Sequence, residues 1–160
     1  SKGVKFAPGA NLTTDQTKTQ PEFWLTYDDP SFLNERFVIA LIDPDAPTPD
    51  DPEFAQVRHF IGGDYVISST QPSGTARLTN LSNALAEYVS PGPQSGSAHR
   101  YTFLVYTQPP DFSSVAPTLV NSSTSLDAIV NFNISTFVSA AGLQEPIAGT
   151  LFYEGPQNST

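Results

Sequence analysis

The chain has 160 residues, of which 38% are hydrophobic, and this is enough for one domain with its own core. Its net charge of −9 argues against binding to nucleic acids and against general electrostatic binding to anionic membrane surfaces. Because the chain has no cysteine, disulfides and zinc–thiolate sites are excluded. Its apolar stretches are also too short for a membrane span. We expect a single domain over residues 1–160.

The first part of the sequence predicts strands. Gly3–Phe6 alternates briefly between apolar and polar residues, and Pro21–Tyr27 has the aromatic content of a strand. We expect Trp24 in the second of these strands to be buried in the core, with a position in a ligand pocket as the alternative. Phe37–Ile42 is apolar on both faces, which predicts a central strand.

A further strand is predicted over Val57–Ile67, after a loop that contains four prolines. The pair Gly62 and Gly63 within it predicts a β-bulge or a close approach of another part of the chain. Beyond this strand, Ser68–Ala76 is typical of a loop. The near-helical spacing of apolar residues then predicts a short helix over Thr79–Tyr88.

The last third of the sequence predicts two strands and a helix. Tyr101–Thr107 and Pro146–Tyr153 are apolar enough to be strands. Between them, Ile134–Ala141 predicts a helix with Asn133 as its N-cap and Gly142 at its end. The whole pattern is typical of a mainly β protein with one or two short helices.

Two carboxylates and the only two histidines stand beside the apolar strands. Asp43 and Asp45 directly follow the predicted central strand, in a segment whose prolines exclude a helix. His59 lies near the start of the next strand, and His99 directly precedes another. A carboxylate at a strand end can accept the proton of an imidazole and leave the other ring nitrogen free for a ligand. We therefore interpret these residues as one site for a small anion.

An anion site in so acidic a chain requires local positive charge. Arg58 and Arg100 each adjoin one of the two histidines and could supply that charge. As the alternative, both long side chains could point to solvent.

The order and spacing of these motifs resemble the phosphatidylethanolamine-binding protein family. The resemblance covers residues 4–153 and rests on Asp43-Pro44-Asp45-Ala46-Pro47, His59-Phe60, Pro91-Gly92-Pro93, His99-Arg100-Tyr101 and Pro146-Ile147-Ala148-Gly149. Family members usually have a further N-terminal segment before the part that resembles Gly3–Phe6, and the present sequence begins without it. The region Ser68–Leu85 also departs from many members, which concerns one side of the implied pocket.

The resemblance implies an antiparallel β-sandwich of the Greek-key type, with a small pocket for phosphate-type anions or phospholipid headgroups. By position, it implies that Asp43, His59, His99 and Tyr101 are pocket residues and that Pro47 and Gly92 form the rim. Imidazole N–H groups, the tyrosine hydroxyl and loop amides would donate to phosphate oxygens, while Asp43 orients a histidine. Asp45 could meet an ethanolamine ammonium or hold the proline-rich loop through an Asx turn.

Other interpretations use the same residues. Isolated histidines are often structural, the Asp43-Pro44-Asp45 segment could only stabilise its loop, and Tyr101 could be a core residue. Imidazole and carboxylate groups also suit zinc, iron or manganese, but the intervals between them fit no short metal motif. Because the sequence has no G-x-S-x-G motif or other paired nucleophile, we expect a binding protein, not an enzyme, without cofactor or metal.

The resemblance also implies a different class of function, which would use the outer surface of the protein. Some members of the family inhibit serine carboxypeptidases, and others regulate signalling proteins such as kinases. The partner is then a serine carboxypeptidase, another serine protease or a signalling protein.

Five of the eight asparagines stand in N-glycosylation sequons, which is more than chance predicts. They are Asn11, Asn80, Asn121, Asn133 and Asn158. The sequence also begins at Ser1 without methionine, as a processed chain would. Both features favour a secreted protein, with a cytoplasmic protein as the alternative. The family resemblance would then be to a secreted member of the fungal type. If Asn133 caps a helix, we expect its sequon to be a poor acceptor.

Overall fold

The computed structural model describes residues 5–156, so that the predicted strand Gly3–Phe6 falls partly outside the described residues. The strands are β1 (Ala10–Asn11), β2 (Phe23–Thr26), β3 (Phe37–Asp43), β4 (Val57–Gln71), β5 (Thr75–Asn80), β6 (His99–Thr107) and β7 (Ala148–Glu154). The α-helices are α1 (Thr14–Thr17), α2 (Phe112–Val115), α3 (Leu126–Ile129) and α4 (Ile134–Ala140), with 3₁₀ turns at Pro30–Asn34 and Ala116–Thr118. Within the described residues, none of these helices has the length and apolarity needed to cross a membrane.

All seven strands belong to one sheet, in the order β1-β7-β6-β3-β4-β5-β2. The short strand β1 pairs parallel with β7, and the other neighbours pair antiparallel. The expected antiparallel sandwich is therefore wrong in two respects, because the sheet is mixed and is a single sheet. Strand content can be read locally, but pairing direction depends on contacts between distant segments.

The sheet curls into a half-barrel. Four strand spacings separate β2 from β6, which would place them about 19 Å apart in a flat sheet. However, the ring centroid of Phe23 in β2 lies only 5.4 Å from that of Phe103 in β6. It also lies 6.0 Å from the ring of Phe60 in β4. The edge strand β2 is thus folded over the concave face of the sheet.

The central strand β3 is shared by two apolar clusters, and all seven of its residues are buried. Its odd-numbered residues face the inner cluster, which consists of Leu25, Phe37, Ile39, Leu41, Phe60, Tyr65, Leu78, Tyr101, Phe103 and Phe152. Its even-numbered residues face the outer cluster, which consists of Val38, Ala40, Ile61, Ala86, Tyr106, Phe112, Ala116, Phe137, Ala141 and Leu143. The prediction of a central strand buried on both faces is confirmed.

Helices α2 and α4 cover the outer cluster, and the predicted end points of α4 are confirmed to within one residue. The Asn133 side chain accepts a hydrogen bond from the Thr136 backbone N–H at 2.9 Å, as an N-cap does. Gly142 follows the helix with a φ of 68°, which glycine adopts without strain. Phe137 of α4 packs edge-to-face against Phe112 of α2.

Three predictions from the first half of the chain are wrong. Trp24 is 48% exposed, because its neighbours Phe23 and Leu25 take the inner face of β2 and the alternation turns Trp24 outward. The predicted loop Ser68–Ala76 is mostly the continuation of β4 and the start of β5. The predicted helix Thr79–Tyr88 is absent. Instead, this segment runs extended beside β4, and the Ile61 and Ala86 backbones exchange two hydrogen bonds of 3.1 Å.

The glycine pair in β4 does coincide with an irregularity, as predicted. The pairing of β3 with β4 shifts register between Phe37 and Ile39, opposite the stretch that contains Gly62 and Gly63. A Cβ atom on Gly63 would lie 2.6 Å from the Phe112 ring, so α2 packs directly on the backbone there.

Candidate functional site

A second β-bulge in β4 determines where the first histidine lies. Leu41 pairs with Phe60 and Ile42 pairs with Arg58, so His59 is an extra residue on the bulged strand. The extra residue puts His59 on the same side of the sheet as Phe60, whereas strict alternation would have turned it to the other side. The Arg58 guanidinium donates to backbone carbonyls of the 121–128 loop, whereas the His59 ring lies 5.2 Å from the Tyr101 ring, between centroids.

The second histidine is held by the turn that follows β3. The buried carboxylate of Asp43 accepts a hydrogen bond from the Asp45 backbone N–H at 2.7 Å through Oδ1. Its Oδ2 atom lies 2.8 Å from Nδ1 of His99, at the start of β6. The other nitrogen of His99, Nε2, lies 3.1 Å from the Pro47 carbonyl oxygen. Both nitrogens of His99 are therefore engaged, and the expected free nitrogen is not on this ring.

The carboxylate of Asp45 is bound by Arg100. The Arg100 side chain donates to both carboxylate oxygens of Asp45, at 2.9 and 2.6 Å, and the Arg100 backbone N–H donates at 2.7 Å. Burial works to raise the pKa of Asp45, but the hydrogen bonds and charge of Arg100 outweigh it and leave that pKa below its usual value. The Asx turn is made by Asp43, and Asp45 fixes the loop to β6.

Tyr101 lies between the two histidines. Its ring is edge-on to His59 and stacked on His99 with a centroid distance of 6.2 Å. Burial raises the pKa of its hydroxyl, and the negative charges of Asp43 and Glu154 raise it further. The hydroxyl therefore stays neutral and can both donate and accept hydrogen bonds.

The His59 ring is oriented by a backbone carbonyl. Its Nδ1 lies 2.8 Å from the Val89 oxygen, and the Val89 N–H donates to the His59 oxygen at 2.8 Å. A carbonyl can only accept, so Nδ1 carries the hydrogen. Burial lowers the pKa of His59, which favours a neutral ring with a bare Nε2. The ring with a free nitrogen is thus His59, which is held by a backbone carbonyl and not by a carboxylate as expected.

The two residues expected at the rim are more accessible than the other site residues. Pro47 is half-buried and turns its carbonyl oxygen toward His99, and Gly92 is exposed between the buried Pro91 and Pro93. The other five, Asp43, Asp45, His59, His99 and Tyr101, are buried. The seven residues come from four parts of the chain that meet at one end of the sheet: the end of β3 with the turn after it, β4, the loop before β6, and β6 itself.

Sequence reasoning missed one buried acid beside this site. Glu154 is the cross-strand partner of His99, and its carboxylate accepts from the hydroxyls of Thr14 and Thr17 at 2.9 and 2.6 Å. A signal was present, because Glu154 follows an apolar strand just as Asp43 does. Val89 had no such signal, since its backbone carbonyl acts here and not its side chain.

Two cavities are lined by residues other than those of the candidate site. One of about 160 Å³ lies beside Gly62, and the other, of about 370 Å³, lies beside the Arg36–Asp64 ion pair. Neither cavity is lined by a histidine. Across residues 5–156, no group of three or more histidine and acidic side chains has the arrangement of a metal site.

The sequence is similar to those of known proteins along most of its length. The family model described as phosphatidylethanolamine-binding protein matches residues 2–154. The chain is 28% identical to a carboxypeptidase Y inhibitor of Saccharomyces cerevisiae over 131 residues, which cover 68% of this chain and 60% of that protein. It is 27% identical to phomoidride biosynthesis cluster protein N of Talaromyces stipitatus over 159 residues, which cover 94% and 78%. The matched region thus spans about three fifths of the inhibitor.

Solved structures show the same fold. A crystal structure of carboxypeptidase Y inhibitor complexed with its cognate proteinase superposes with a TM-score of 0.72 at 21% identity, covering 93% of this chain and 76% of that one. A phosphatidylethanolamine-binding protein from Plasmodium vivax gives a TM-score of 0.66 at 16% identity, covering 93% and 78%.

Proposed function

The chain belongs to the phosphatidylethanolamine-binding protein family, and from this premise we propose that it is a non-catalytic binding protein for small phosphate-type anions, including phospholipid headgroups. The binding site consists of Asp43, His59, His99 and Tyr101, with Pro47 and Gly92 at the rim. Asp45 supports it indirectly, because its carboxylate is taken up by Arg100.

One observation carries this proposal. The two histidines are 40 positions apart in the sequence, yet both rings pack on Tyr101, with centroid distances of 5.2 and 6.2 Å. His99 faces acceptors at both ring nitrogens, so both of its hydrogen bonds form together only when the ring is an imidazolium. Paired with Asp43, such an imidazolium offsets the charge of that carboxylate, which would otherwise repel an anion in a chain with a net charge of −9.

The hydrogen-bond partners of the two histidines favour binding over catalysis. Within residues 5–156, neither histidine is hydrogen-bonded to a serine or threonine hydroxyl, since their partners are Asp43 and the carbonyls of Pro47 and Val89. A histidine that activates a hydroxyl nucleophile must reach it by a hydrogen bond. We therefore assign the histidines to ligand binding.

Imidazole NMR tests the anion site directly. We expect the ring signals of both histidines to shift together and to saturate when inorganic phosphate is added near pH 6, and a neutral alcohol to have no effect. His99→Ala should abolish the response, and Asp50→Ala, an exposed acid, should keep it. If neither ring responds in a folded protein, the anion site is wrong.

Inhibition of a serine carboxypeptidase is the second candidate, and its support is the similarity to a carboxypeptidase Y inhibitor. An assay of carboxypeptidase Y with this protein tests it. Inhibition that persists in His99→Ala would place the working surface outside the anion site. Regulation of a signalling protein would also use the outer surface, but it has less support than protease inhibition, because the similarity is to a carboxypeptidase Y inhibitor.

Secretion is supported by the exposure of all four sequon asparagines within the described residues, whereas Asn158 lies outside them. The side chains of three of these asparagines make hydrogen bonds. Asn133 caps α4, Asn121 accepts from the Ser123 N–H, and Asn80 donates to the Ser82 oxygen. We expect Asn11 to be the best acceptor. Intact mass before and after deglycosylation of the native protein tests this, and an unchanged mass would remove the support for secretion.

A further inference from the structure

On the basis of the proposed anion site, we infer that the site selects anions that carry a proton. It should prefer hydrogen phosphate and phosphate monoesters to sulfate and phosphate diesters, because His59 presents an acceptor to the ligand and not a donor.

The tautomer of His59 is determined by its contact with Val89. The Val89 carbonyl accepts the hydrogen of Nδ1 at 2.8 Å, and the Val89 N–H binds the His59 carbonyl in return. This two-way contact fixes the ring against a flip. No partner is found for Nε2 among the described residues, so its lone pair is available to a ligand. An oxygen with a hydrogen would bind it, and a bare anionic oxygen would be repelled.

The charges around His59 do not remove this requirement. Asp43 and His99 form one pair, and Tyr101 contributes a neutral ring at 5.2 Å. Arg58 is directed to three carbonyls of the 121–128 loop, and Arg100 is bound by Asp45. Burial is the main cause of the lowered pKa of His59. It outweighs the Val89 hydrogen bond and the charge of Asp43, which raise that pKa, and the charges of His99 and Arg58 lower it further. His59 therefore does not supply the missing proton in the free protein.

A second buried acid further favours a ligand of low charge. Glu154 is paired across the strands with His99 and is bound only by the hydroxyls of Thr14 and Thr17 within the described residues, so its charge is not neutralised by a cation. Together with Asp43, it places two carboxylates beside the site, and within the described residues only the Asp43 carboxylate is hydrogen-bonded to a histidine. The less negative, protonated form of an anion enters such a site more easily.

The preference for a protonated anion distinguishes a free phosphate monoester from the phosphate diester of an intact phospholipid. A phosphate monoester has a second pKa of about 6, so at that pH about half of it carries a P–O–H group that can donate to Nε2. The hydrogen bond forms without breaking any bond, and the same proton can shift to Nε2 within the complex. Sulfate and the diester of an intact phospholipid have no such proton. A free headgroup monoester should therefore bind better than the lipid itself.

Calorimetry with matched anions tests the inference in the wild-type protein. At about pH 6, we expect phosphate and phosphoethanolamine to bind about tenfold or more tightly than sulfate and dimethyl phosphate, since a buried acceptor without its donor is strongly disfavoured. At about pH 8 the advantage should shrink, because less of the monoester is protonated. His59→Gln, which offers a donor as well as an acceptor, should bind sulfate and phosphate alike.

The outcomes separate the two proposals. Sulfate that binds within about twofold of phosphate in the wild-type protein overturns the selectivity but leaves the anion site standing. Failure of all four anions to bind overturns the anion site as well. If His59→Gln does not fold, the comparison of phosphate with sulfate in the wild-type protein decides alone. Equal affinity for phosphoethanolamine and dimethyl phosphate also overturns the selectivity.

Discussion

At the residue scale, Asp43 joins the loop after β3 to the imidazole of His99 with its two oxygens. Both side chains are only 3% exposed, so each is the counter-ion that makes the other tolerable in the interior. Without Asp43, His99 would keep the Pro47 carbonyl as its one partner.

We therefore expect Asp43→Ala to lower the free energy of unfolding by about 3 kcal/mol, since removing one member of a buried pair leaves the other uncompensated. Urea denaturation at neutral pH measures the change. Asp50→Ala serves as control, because it removes an exposed acid of the same loop and should change stability by less than about 0.5 kcal/mol. Equal effects of the two substitutions would contradict the pairing.

The Asp45–Arg100 pair predicts a pH dependence. The pKa of Asp45 is depressed in the folded protein, so its contribution to stability is complete above its unfolded pKa of about 3.9 and is lost as the pH falls below it. We expect Arg100→Gln to flatten the loss of stability on acidification between about pH 5 and pH 2. Unfolding free energies measured across this range for both proteins test the effect, and parallel curves would refute it.

At the element scale, Arg58 extends from the start of β4 under the loop that contains α3. This side chain is fully buried, and one of its nitrogens donates to the carbonyls of Asn121, Ser123 and Ala128 at 2.8, 3.0 and 3.3 Å. Its Nε and Nη1 atoms have no partner in the described residues. Arg58 thus attaches an otherwise polar loop to the sheet.

We expect Arg58→Met to raise amide hydrogen exchange in residues 121–128 by about tenfold or more, since a hydrogen bond to a charged group contributes about 1.5–3 kcal/mol. The methionine fills most of the space, so exchange in β3 should change little. Arg77→Met, at an exposed ion pair with Glu22, is the control and should leave the loop unchanged. A loop that exchanges equally fast in all three proteins would show that Arg58 does not hold it.

The contact between β4 and α2 gives a second prediction at this scale. A methyl group on Gly63 would lie 2.6 Å from the Phe112 ring and 3.1 Å from the Gln108 side chain, whereas one on Gly92 would meet nothing closer than 4.0 Å. We expect Gly63→Ala to destabilise the fold by about 1–3 kcal/mol through overpacking. Thermal unfolding compared with Gly92→Ala, which should be close to wild type in stability, measures this difference.

At the scale of the whole molecule, β3 links the two apolar clusters, because alternate residues of one strand enter each of them. If β3 leaves the sheet, the apolar residues of both clusters are exposed to solvent. The half-barrel should therefore unfold as one unit, which is also the test of the predicted single domain.

Two matched core substitutions examine this cooperativity. Ile39→Ala opens a space in the inner cluster and Ile61→Ala in the outer cluster, and both residues are fully buried. We expect each to cost about 2–5 kcal/mol and to shift the same single transition. Far-UV circular dichroism and Trp24 fluorescence should report coincident curves. Separate transitions in either variant would mean that the clusters unfold independently.

The fold can be predicted where the information is local. The apolar run of β3, the capped helix α4 and the acids after the central strand are all visible in the sequence, because burial, capping and turn chemistry depend on neighbouring residues. The same holds for the motif residues, whose order and spacing are sufficient by themselves to indicate the family. Glu154 carries a local signal of the same kind, since it stands directly after an apolar strand.

The tertiary structure alone decided what depends on distant pairing. It turned Trp24 outward, placed Arg58 under a loop more than 60 residues away, and made 81–89 an extended neighbour of β4. It also chose the Val89 carbonyl as the partner of His59 and thereby the nitrogen that a ligand meets. The sequence by itself determined which groups are present, and the curled sheet with its bulges determined which of their atoms face one another, because register and curvature are set by contacts that no local pattern contains.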